Sequence, residues 1–346
     1  MEKKNIDWGN LGFSYMPTDY RYISDFKDGA WDEGRLITDA SVTVSECAGI
    51  LQYCQQVFEG LKAYKTASGE VRLFRPDCNG ERLNNSAIRL SLPTLPVQDF
   101  IDACKALVDL ERDWVPEKKG ESLYIRPILM SVEPDLSLHC SEHCMFVIMC
   151  SPVGNYYKEG LKPVSIAIEK EDSRTVKGGT GFAKCGGNYA ASNRAGDRAL
   201  EKGYSQVLWL DGVHRKYIEE VGAMNVMFKI DGTVVTPSLE NGSILGGITR
   251  KSCIEVLKSW GMPVEERLLS AEELFNAAEN GKLEEAWGIG TAAVISPIGE
   301  LSYKGKSYIV NDFKIGETEQ KLYDALTGIQ WGKAPDTFGW TELVCK

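Results

Sequence analysis

The sequence predicts a mixed α/β (α+β) fold divided into two domains. Segments with the alternation of strands and segments with the apolar spacing of amphipathic helices occur in both halves of the chain. The 346 residues suggest about two domains, because one domain usually contains roughly 100–200 residues. A polar, glycine-containing stretch lies between Pro152 and Pro163. We therefore predict an N-terminal domain at 1–154, a linker at 155–162 and a C-terminal domain at 163–346.

Strand and helix patterns alternate along the first domain. Residues 70–75 alternate like a strand, and Asp77 then offers an N-cap for an amphipathic helix that ends before Pro93. Apolar residues recur at helical spacing over 97–114, and Pro116 ends that helix. Two apolar strands are predicted after it, at 122–130 and 144–150.

Turn and cap patterns organise the second domain. Asp231-Gly232 is typical of a two-residue turn and predicts a hairpin between strands at 225–230 and 233–236. Ser270 and Glu273 have capping-box spacing, which predicts a helix start at 271. The remaining elements are predicted as strands at 164–169, 206–210, 284–289 and 292–296, and helices at 189–202, 248–260 and 271–280.

Charge and composition exclude several classes of protein. The net charge of −10 has the wrong sign for a nucleic-acid binder. The longest nearly apolar run, 144–153, is far shorter than the roughly 20 residues that cross a bilayer. Ten scattered cysteines favour reduced thiols and a cytoplasmic location. The His and Cys residues at 139–144 lack the spacing of a structural zinc site, so no metal is expected.

A glycine-rich stretch at 177–189 encloses Lys184. A phosphate-binding P-loop would need glycine at Ala183 and serine or threonine at Cys185, and a dinucleotide fingerprint would need glycine at Lys184. Both nucleotide interpretations therefore fail. Two hypotheses remain: a flexible surface loop, or a desolvated, nucleophilic lysine of the kind that forms Schiff bases.

Two glycine-threonine turns are candidate anion sites. The stretch 245–250 precedes a predicted helix, whose free amides and positive dipole end suit a phosphate. The turn at 288–293 matches a permissive dinucleotide fingerprint but precedes a strand, so it offers at most an anion nest. Together with Arg82 on a predicted helix, these turns favour one phosphate ligand.

Glu220 lies at the start of an apolar strand and has two interpretations. A solvated acid at a strand end is the usual fate of glutamate, and the sequence by itself favours it. The alternative is a buried carboxylate that keeps a heterocyclic nitrogen protonated.

A series of motifs, in this order, resembles the branched-chain amino-acid aminotransferases, which are pyridoxal-phosphate enzymes of fold type IV. The motifs are 58–64 (FEGLKAY), 73–76 (LFRP), 124–127 (YIRP), 186–189 (GGNY), 220–225 (EVGAMN), 247–250 (GITR) and 290–292 (GTA). The resemblance extends over most of the chain. It implies a small N-terminal domain, a large cofactor-binding domain and a pyridoxal 5′-phosphate cofactor in the cleft between them.

The same resemblance implies roles for individual residues. Lys184 would be the catalytic residue that binds the cofactor's aldehyde and moves the proton at the substrate Cα. Glu220 would pair with the pyridine nitrogen, and Tyr189 would hydrogen-bond the ring's phenolate oxygen. The other implied cofactor-binding residues are Arg82, Asn225, Leu245, Gly247, Ile248, Thr249, Gly290 and Thr291.

The substrate pocket is likewise implied by the resemblance. Tyr53, Leu136 and Leu138 would be supplied by, or face, a second subunit of a homodimer or higher oligomer. Arg126 would bind the distal carboxylate of the second substrate. The implied pocket comprises Phe13, Tyr53, Phe58, Tyr124, Arg126, Leu136, Leu138, Tyr156 and Ala292, although ordinary core packing is the alternative for its aromatic members.

The expected activity is ping-pong transfer of the amino group between L-leucine, L-isoleucine or L-valine and 2-oxoglutarate. Two other enzymes of the same fold, D-amino-acid aminotransferase and aminodeoxychorismate lyase, remain alternatives because Lys184 and Glu220 would serve them equally. A module that binds a phosphate ligand without catalysis is a third alternative. The expected partners are small amino acids, 2-oxo acids and a second copy of the chain, without nucleic acid or membrane.

Overall fold

The computed structural model describes residue 8 and residues 11–118, 120–154 and 161–346. The chain divides into two compact units, one formed by 1–160 with 328–346 and the other by 161–327. Each unit combines a sheet with helices, which confirms the predicted mixed α/β class. No helix in the described part of the chain is long and apolar enough to cross a membrane.

The first unit is built on an antiparallel sheet. Its long central strands, β7 and β8, pair over their whole length, from Ser122 opposite Val153 to Ser131 opposite Cys144. The elements of this unit up to residue 154 are β1 (Arg21–Lys27), β2 (Ala30–Trp31), β3 (Arg35–Ile37), α1 (Gly49–Tyr53), β4 (Gln56–Phe58), β5 (Leu61–Lys65), β6 (Val71–Phe74), α2 (Pro76–Arg89), α3 (Val97–Leu110), a 3₁₀ turn (Arg112–Trp114), β7 (Ser122–Ser131) and β8 (Cys144–Val153).

Helices α2 and α3 cover this sheet with their apolar faces. Leu83, Phe100 and Leu107 are fully buried, and the ring of Phe100 lies 6.1 Å from that of Phe146 on β8. Helix α2 begins at Pro76, with Arg75 at the N-cap position, so the predicted cap at Asp77 is wrong and the helix starts two residues earlier than it implies. Proline suits the first turn because its missing N–H is not needed there. The acidic side chain of Asp77 therefore lies inside the first turn, at the positive end of the helix dipole.

The second unit contains a mixed sheet with the order β11-β10-β9-β16-β15-β12-β13-β14, and β17 pairs with β16. Strand β9 pairs in parallel with β10 and with β16, and most other pairs are antiparallel. Its elements are β9 (Val164–Ile168), α4 (Gly186–Ala190), α5 (Asn193–Glu201), β10 (Gln206–Leu210), β11 (Ile218–Val221), β12 (Asn225–Ile230), β13 (Thr233–Pro237), α6 (Ile248–Ser259), β14 (Val264–Arg267), α7 (Ala271–Glu279), β15 (Leu283–Gly290), β16 (Val294–Tyr303), β17 (Lys306–Ile309), a 3₁₀ turn (Asn311–Phe313) and α8 (Glu317–Gln330).

Local patterns predicted in this unit are confirmed. Strands β12 and β13 form the predicted hairpin, with positive φ angles of 50° at Asp231 and 79° at Gly232. Two positive φ angles define the turn type that matches the twist of paired strands. The Ser270 hydroxyl accepts a hydrogen bond from the Glu273 amide at 3.0 Å, as a capping residue should.

The helix predicted at 189–202 is instead two helices, α4 and α5. The Ser192 hydroxyl donates to the carbonyl of Asn188 at 2.9 Å, next to the break between them. Serine side chains that bond to the backbone in this way compete with regular helix bonds. Helix α4 also begins three residues before the predicted start, at Gly186.

The last strand, β18 (Thr341–Cys345), belongs to the first sheet. It pairs antiparallel with β6, and the ring of Trp340 packs 5.6 Å from that of Phe74. This pairing covers the edge of β6, which would otherwise expose unpaired backbone groups. The predicted C-terminal domain, 163–346, therefore needs a correction, because 328–346 belong to the first unit. The predicted linker at 155–162 lies almost entirely outside the described residues.

Candidate active site

Lys184 lies in a loop that is held by its own side-chain hydrogen bonds. The Asn188 side-chain amide donates to the carbonyls of Thr180 and Ala183 at 2.8 and 2.9 Å. The Lys184 Nζ donates to the Tyr189 hydroxyl at 2.8 Å, and both side chains are half-buried. The loop is therefore held by specific hydrogen bonds and places the Lys184 amine in contact with Tyr189, its predicted partner. This argues against the hypothesis of a flexible surface loop.

One glycine of this loop is required by close packing. A Cβ atom at Gly181 would lie 2.1 Å from the carbonyl oxygen of Ser243. Ser243 belongs to the segment that leads into α6, so the absence of a side chain at 181 lets the lysine loop pack against that segment.

Glu220 is buried, so its interpretation as a solvated acid is wrong. Its residue is 3% exposed, and its Oε1 accepts a hydrogen bond from the Leu245 amide at 2.8 Å. The Arg174 Nη2 lies 3.2 Å from the same oxygen, and both side chains are at most 5% exposed. The buried carboxylate therefore has a cationic partner that the sequence analysis did not identify.

The adjacent carboxyl group of Glu219 has a different environment. It accepts a short hydrogen bond from the Ser243 hydroxyl. Burial raises the pKa of Glu219 above its usual value, although that hydrogen bond and Arg174 oppose the shift. Two neighbouring carboxyls therefore have distinct partners: a hydroxyl for Glu219 and a guanidinium for Glu220.

The two predicted anion-binding turns meet at Asn225. Its side-chain amide donates to the Leu245 carbonyl at 2.9 Å, and its backbone pairs with Ile289 at the end of β15. Helix α6 starts after Gly247, and this N-cap residue makes no side-chain cap. The first amides of a helix have no partner within the helix, so Ile248 and Thr249 begin a helix end suited to an anion. Gly290 ends β15, and Thr291 and Ala292 form the turn after it.

In the first unit, the structure brings together four predicted pocket residues. The rings of Phe13 and Tyr124 lie edge to face, with their centroids 5.9 Å apart. The Arg126 guanidinium lies 5.0 Å from the centre of the Phe58 ring and donates to the Tyr124 hydroxyl at 3.1 Å. A Cβ at Gly60 would lie 2.1 Å from that hydroxyl, so glycine is required for this placement of the tyrosine.

Lys62 is a member of this cluster that sequence analysis missed. It pairs with Tyr124 across β5 and β7, and its Nζ lies 5.9 Å from the centre of the Phe13 ring. Burial lowers the pKa of Lys62 to about 7. The sequence analysis did not predict burial of Lys62, because lysine side chains are seldom fully buried.

Arg82, predicted to hold phosphate, has a strong partner in its own unit. Its Nε and Nη2 donate to the two carboxylate oxygens of Glu59 at 2.7 and 2.9 Å. The Glu59 side chain is fully buried and also accepts from the Asn79 amide at 2.7 Å. This two-point pair fixes the guanidinium, and the phosphate role of Arg82 stays a prediction.

The residues predicted to face a second subunit lie on the surface of the first unit. The Tyr53 hydroxyl donates to the Leu136 carbonyl, and Leu138 is 82% exposed. Tyr53 and Leu136 are also exposed. Tyr156 lies outside the described residues. Within the described part of the chain, no group of His, Cys, Asp and Glu could hold a metal ion.

Known proteins resemble this chain in sequence and in fold. The family model described as Amino-transferase class IV matches residues 56–301. The chain is 49% identical to branched-chain-amino-acid transaminase 1 of Bacillus subtilis, over 99% of this chain and 96% of that protein. The structure of the Escherichia coli branched-chain amino acid aminotransferase aligns with a TM-score of 0.79 at 25% identity, over 94% of this chain and 99% of that one. The Thermobaculum terrenum branched-chain amino acid aminotransferase, solved in its PLP form, shares the fold with a TM-score of 0.77 at 22% identity, over 95% of this chain and 99% of that one.

The fold, the lysine loop and these matches place the chain in the class IV aminotransferase family. Within that family, the relatives that it matches over 99% of its length are named as branched-chain-amino-acid transaminases or aminotransferases. The activity is that of a branched-chain-amino-acid aminotransferase, which decides against the D-amino-acid aminotransferase, the lyase and the non-enzymatic binding module.

Proposed function

We propose that this aminotransferase uses pyridoxal 5′-phosphate in a ping-pong reaction between L-leucine, L-isoleucine or L-valine and 2-oxoglutarate. The observation that carries this proposal is the Lys184 amine, 2.8 Å from the Tyr189 hydroxyl, in the same unit as the buried carboxylate of Glu220. An amine, a phenol and a buried carboxylate are the groups that this cofactor needs around its ring.

The residues present fit the cofactor. The start of α6, where Gly247 makes no side-chain cap, offers amides and a positive dipole end to a phosphate, and the Thr249 hydroxyl adds a donor. The family's cofactor, when bound, supplies an electron-accepting ring for the bonding electrons of the substrate's Cα–H. The proposed holders are Lys184, Arg82, Tyr189, Glu220, Asn225, Leu245, Gly247, Ile248, Thr249, Gly290 and Thr291. The placement of the cofactor in a cleft between domains stays a prediction.

Each polar group of the second unit has a distinct task in this proposal. Lys184 Nζ would take the proton from the substrate Cα and deliver it to the cofactor's C4′ carbon. The Tyr189 hydroxyl, which already contacts that amine, orients it and hydrogen-bonds the ring oxygen. Glu220, in contact with Arg174, accepts a hydrogen bond from the ring nitrogen and keeps a proton on it.

The first unit supplies the groups that recognise the substrate side chain. Phe13, Phe58 and Tyr124 present aromatic surface to a branched aliphatic group. Arg126 presents a cation to the distal carboxylate of glutamate or 2-oxoglutarate, since a carboxylate buried without a partner would be costly. Ala292 and Tyr156, the remaining members of the implied pocket, stay predictions from the sequence.

We also infer self-association as a homodimer, or a higher oligomer, through the exposed residues near α1. Leu51, Tyr53, Leu136 and Leu138 are exposed by 43 to 82% on the first unit. Clusters of exposed apolar side chains are typical of interaction surfaces. Leu138→Asp should therefore yield monomers with reduced activity, while Leu200→Asp, at another exposed leucine, 62% exposed on α5, should not. Light scattering of both variants distinguishes these results, and dimeric, fully active L138D would contradict the proposal.

A cytoplasmic location is proposed from thiol chemistry. All ten cysteines are free in the structure, as expected for a protein of a reducing compartment.

The decisive experiment measures amino transfer from L-leucine to 2-oxoglutarate by purified protein with added cofactor, with D-leucine as the stereochemical control. Borohydride reduction followed by peptide mapping should place the cofactor on Lys184. Lys184→Ala should lower kcat by at least about a thousandfold, because it removes both the attachment point and the base. Lys177→Ala, an exposed lysine of the same loop, should leave kcat unchanged. Labelling at another lysine, or transfer from D-leucine only, would contradict the proposal.

A further inference from the structure

Arg174 is a buried side chain that connects segments of the candidate site. It lies in the segment between β9 and the lysine loop and is 7% exposed. Its Nη2 donates to the carbonyl of Gly181 at 3.0 Å and to the carbonyl of Ser243 at 2.6 Å. The first carbonyl belongs to the loop of Lys184, and the second belongs to the segment that leads into α6. One guanidinium therefore links the lysine loop with the proposed phosphate-binding segment.

The same guanidinium nitrogen contacts the carboxylate of Glu220. The distance to Oε1 is 3.2 Å, and both side chains are nearly excluded from water. A carboxylate transferred out of water loses hydration, and a neighbouring cation restores the preference for the charged form. The Leu245 amide donates to the same oxygen, but an amide has no net charge. Arg174 is thus a cation in direct contact with this carboxylate.

We propose that Arg174 is a positioning residue that keeps Glu220 ionised and aimed at the cofactor's ring nitrogen, so that this nitrogen stays protonated. The inference rests on the proposed function, in which Glu220 is the partner of that nitrogen. Arg174 itself acts through Glu220 and through the two backbone carbonyls. Loss of the Arg174 guanidinium therefore changes the protonation of the ring nitrogen and has a much smaller effect on the recognition of either substrate.

The test measures the protonation state of the cofactor's ring nitrogen directly. Holoenzyme is prepared with pyridoxal phosphate labelled in its ring by a heavy nitrogen isotope, and the nitrogen chemical shift is recorded near neutral pH. Glu220→Gln provides the reference for a ring nitrogen that lacks its carboxylate partner. In Arg174→Gln, which keeps an amide donor but removes the charge, the resonance should move from the wild-type position towards that reference. The kcat should fall by at least about tenfold, with much smaller changes in KM for both substrates.

A neighbouring residue offers a matched control. The Thr175 hydroxyl donates to the same Ser243 carbonyl at 2.8 Å, so Thr175→Val removes an anchor of this segment without changing charge. This variant should keep the wild-type chemical shift. Arg174→Lys retains the cation and should restore most of the protonated signal that Arg174→Gln loses.

Each outcome decides the inference. A wild-type shift in folded, cofactor-loaded R174Q, or an equal displacement in T175V, would overturn it. If R174Q does not retain the cofactor, R174K decides, because a neutral ring nitrogen beside a retained cation would contradict the proposal. Wild-type protein without transfer from L-leucine, or without label on Lys184, would instead refute the proposed function and is recognised before the variants are made.

Discussion

The ion pair of Glu59 and Arg82 is expected to contribute strongly to the free energy of unfolding. The Glu59 carboxylate is fully buried and accepts from Arg82 Nε and Nη2, from the Asn79 amide, and from the Gly60 backbone amide at 3.1 Å. Glu59→Gln replaces one acceptor oxygen by an NH₂ group that points at donors. It also leaves the guanidinium of Arg82, 12% exposed at its side chain, without its counter-ion.

The expected loss in the free energy of unfolding is about 3–5 kcal/mol, the range for removing one partner of a buried ion pair. Glu117→Gln is the matched control, because Glu117 forms an ion pair with Lys65 at 2.6 Å but its side chain is 78% exposed. An exposed pair is worth less than about 1 kcal/mol, since water and salt screen it. The two substitutions make the same chemical change and differ in burial.

Urea unfolding of both variants and the wild type, without added cofactor, measures these losses. Equal losses for Glu59→Gln and Glu117→Gln would refute the reasoning that burial makes the first pair expensive to break. Cofactor affinity is measured in parallel, because a guanidinium released from Glu59 loses the two-point contact that orients it. Unchanged affinity in a folded Glu59→Gln variant would contradict the phosphate role predicted for Arg82.

Three further outcomes are expected. Gly60→Ala should displace the Tyr124 ring, whose hydroxyl a new Cβ would approach to 2.1 Å, and should raise KM for amino acids; unchanged kinetics would contradict this packing argument. Arg126→Met should slow the half-reaction of glutamate far more than that of leucine in single-turnover measurements, and an equal decrease would make Arg126 a structural residue. Burial raises the pKa of Glu319 from 4.5 to about 8, so the folded state holds this proton more tightly than the unfolded chain. Its contribution to stability is therefore complete below the unfolded pKa and is lost as the pH rises through about 8; Glu319→Gln should flatten this dependence, and an unchanged pH profile of unfolding would contradict it.

The sequence by itself determined the elements whose cause is local. The Asp231-Gly232 hairpin follows from two residues that tolerate positive φ, and the start of α7 follows from Ser270 three positions before Glu273. The glycine-rich surroundings of Lys184 were visible in the same way, since neighbours in the chain create them. The resemblance of seven motifs along the chain identified the family before any tertiary contact was known.

Only the tertiary structure decided which distant residues pair. Arg174 and Glu220 are 46 positions apart and Glu59 and Arg82 are 23 apart, as their residue numbers show, and no local pattern relates either pair. Strand β18 joins the first sheet for a similar reason, because the free edge of β6 is created by folding. The tertiary structure likewise showed that Glu220 is buried, whereas a glutamate at a strand end is usually solvated. The physical reason is common to all of these cases: the free energy of a buried charge or a strand edge depends on groups brought together by the fold, and sequence distance does not encode that proximity.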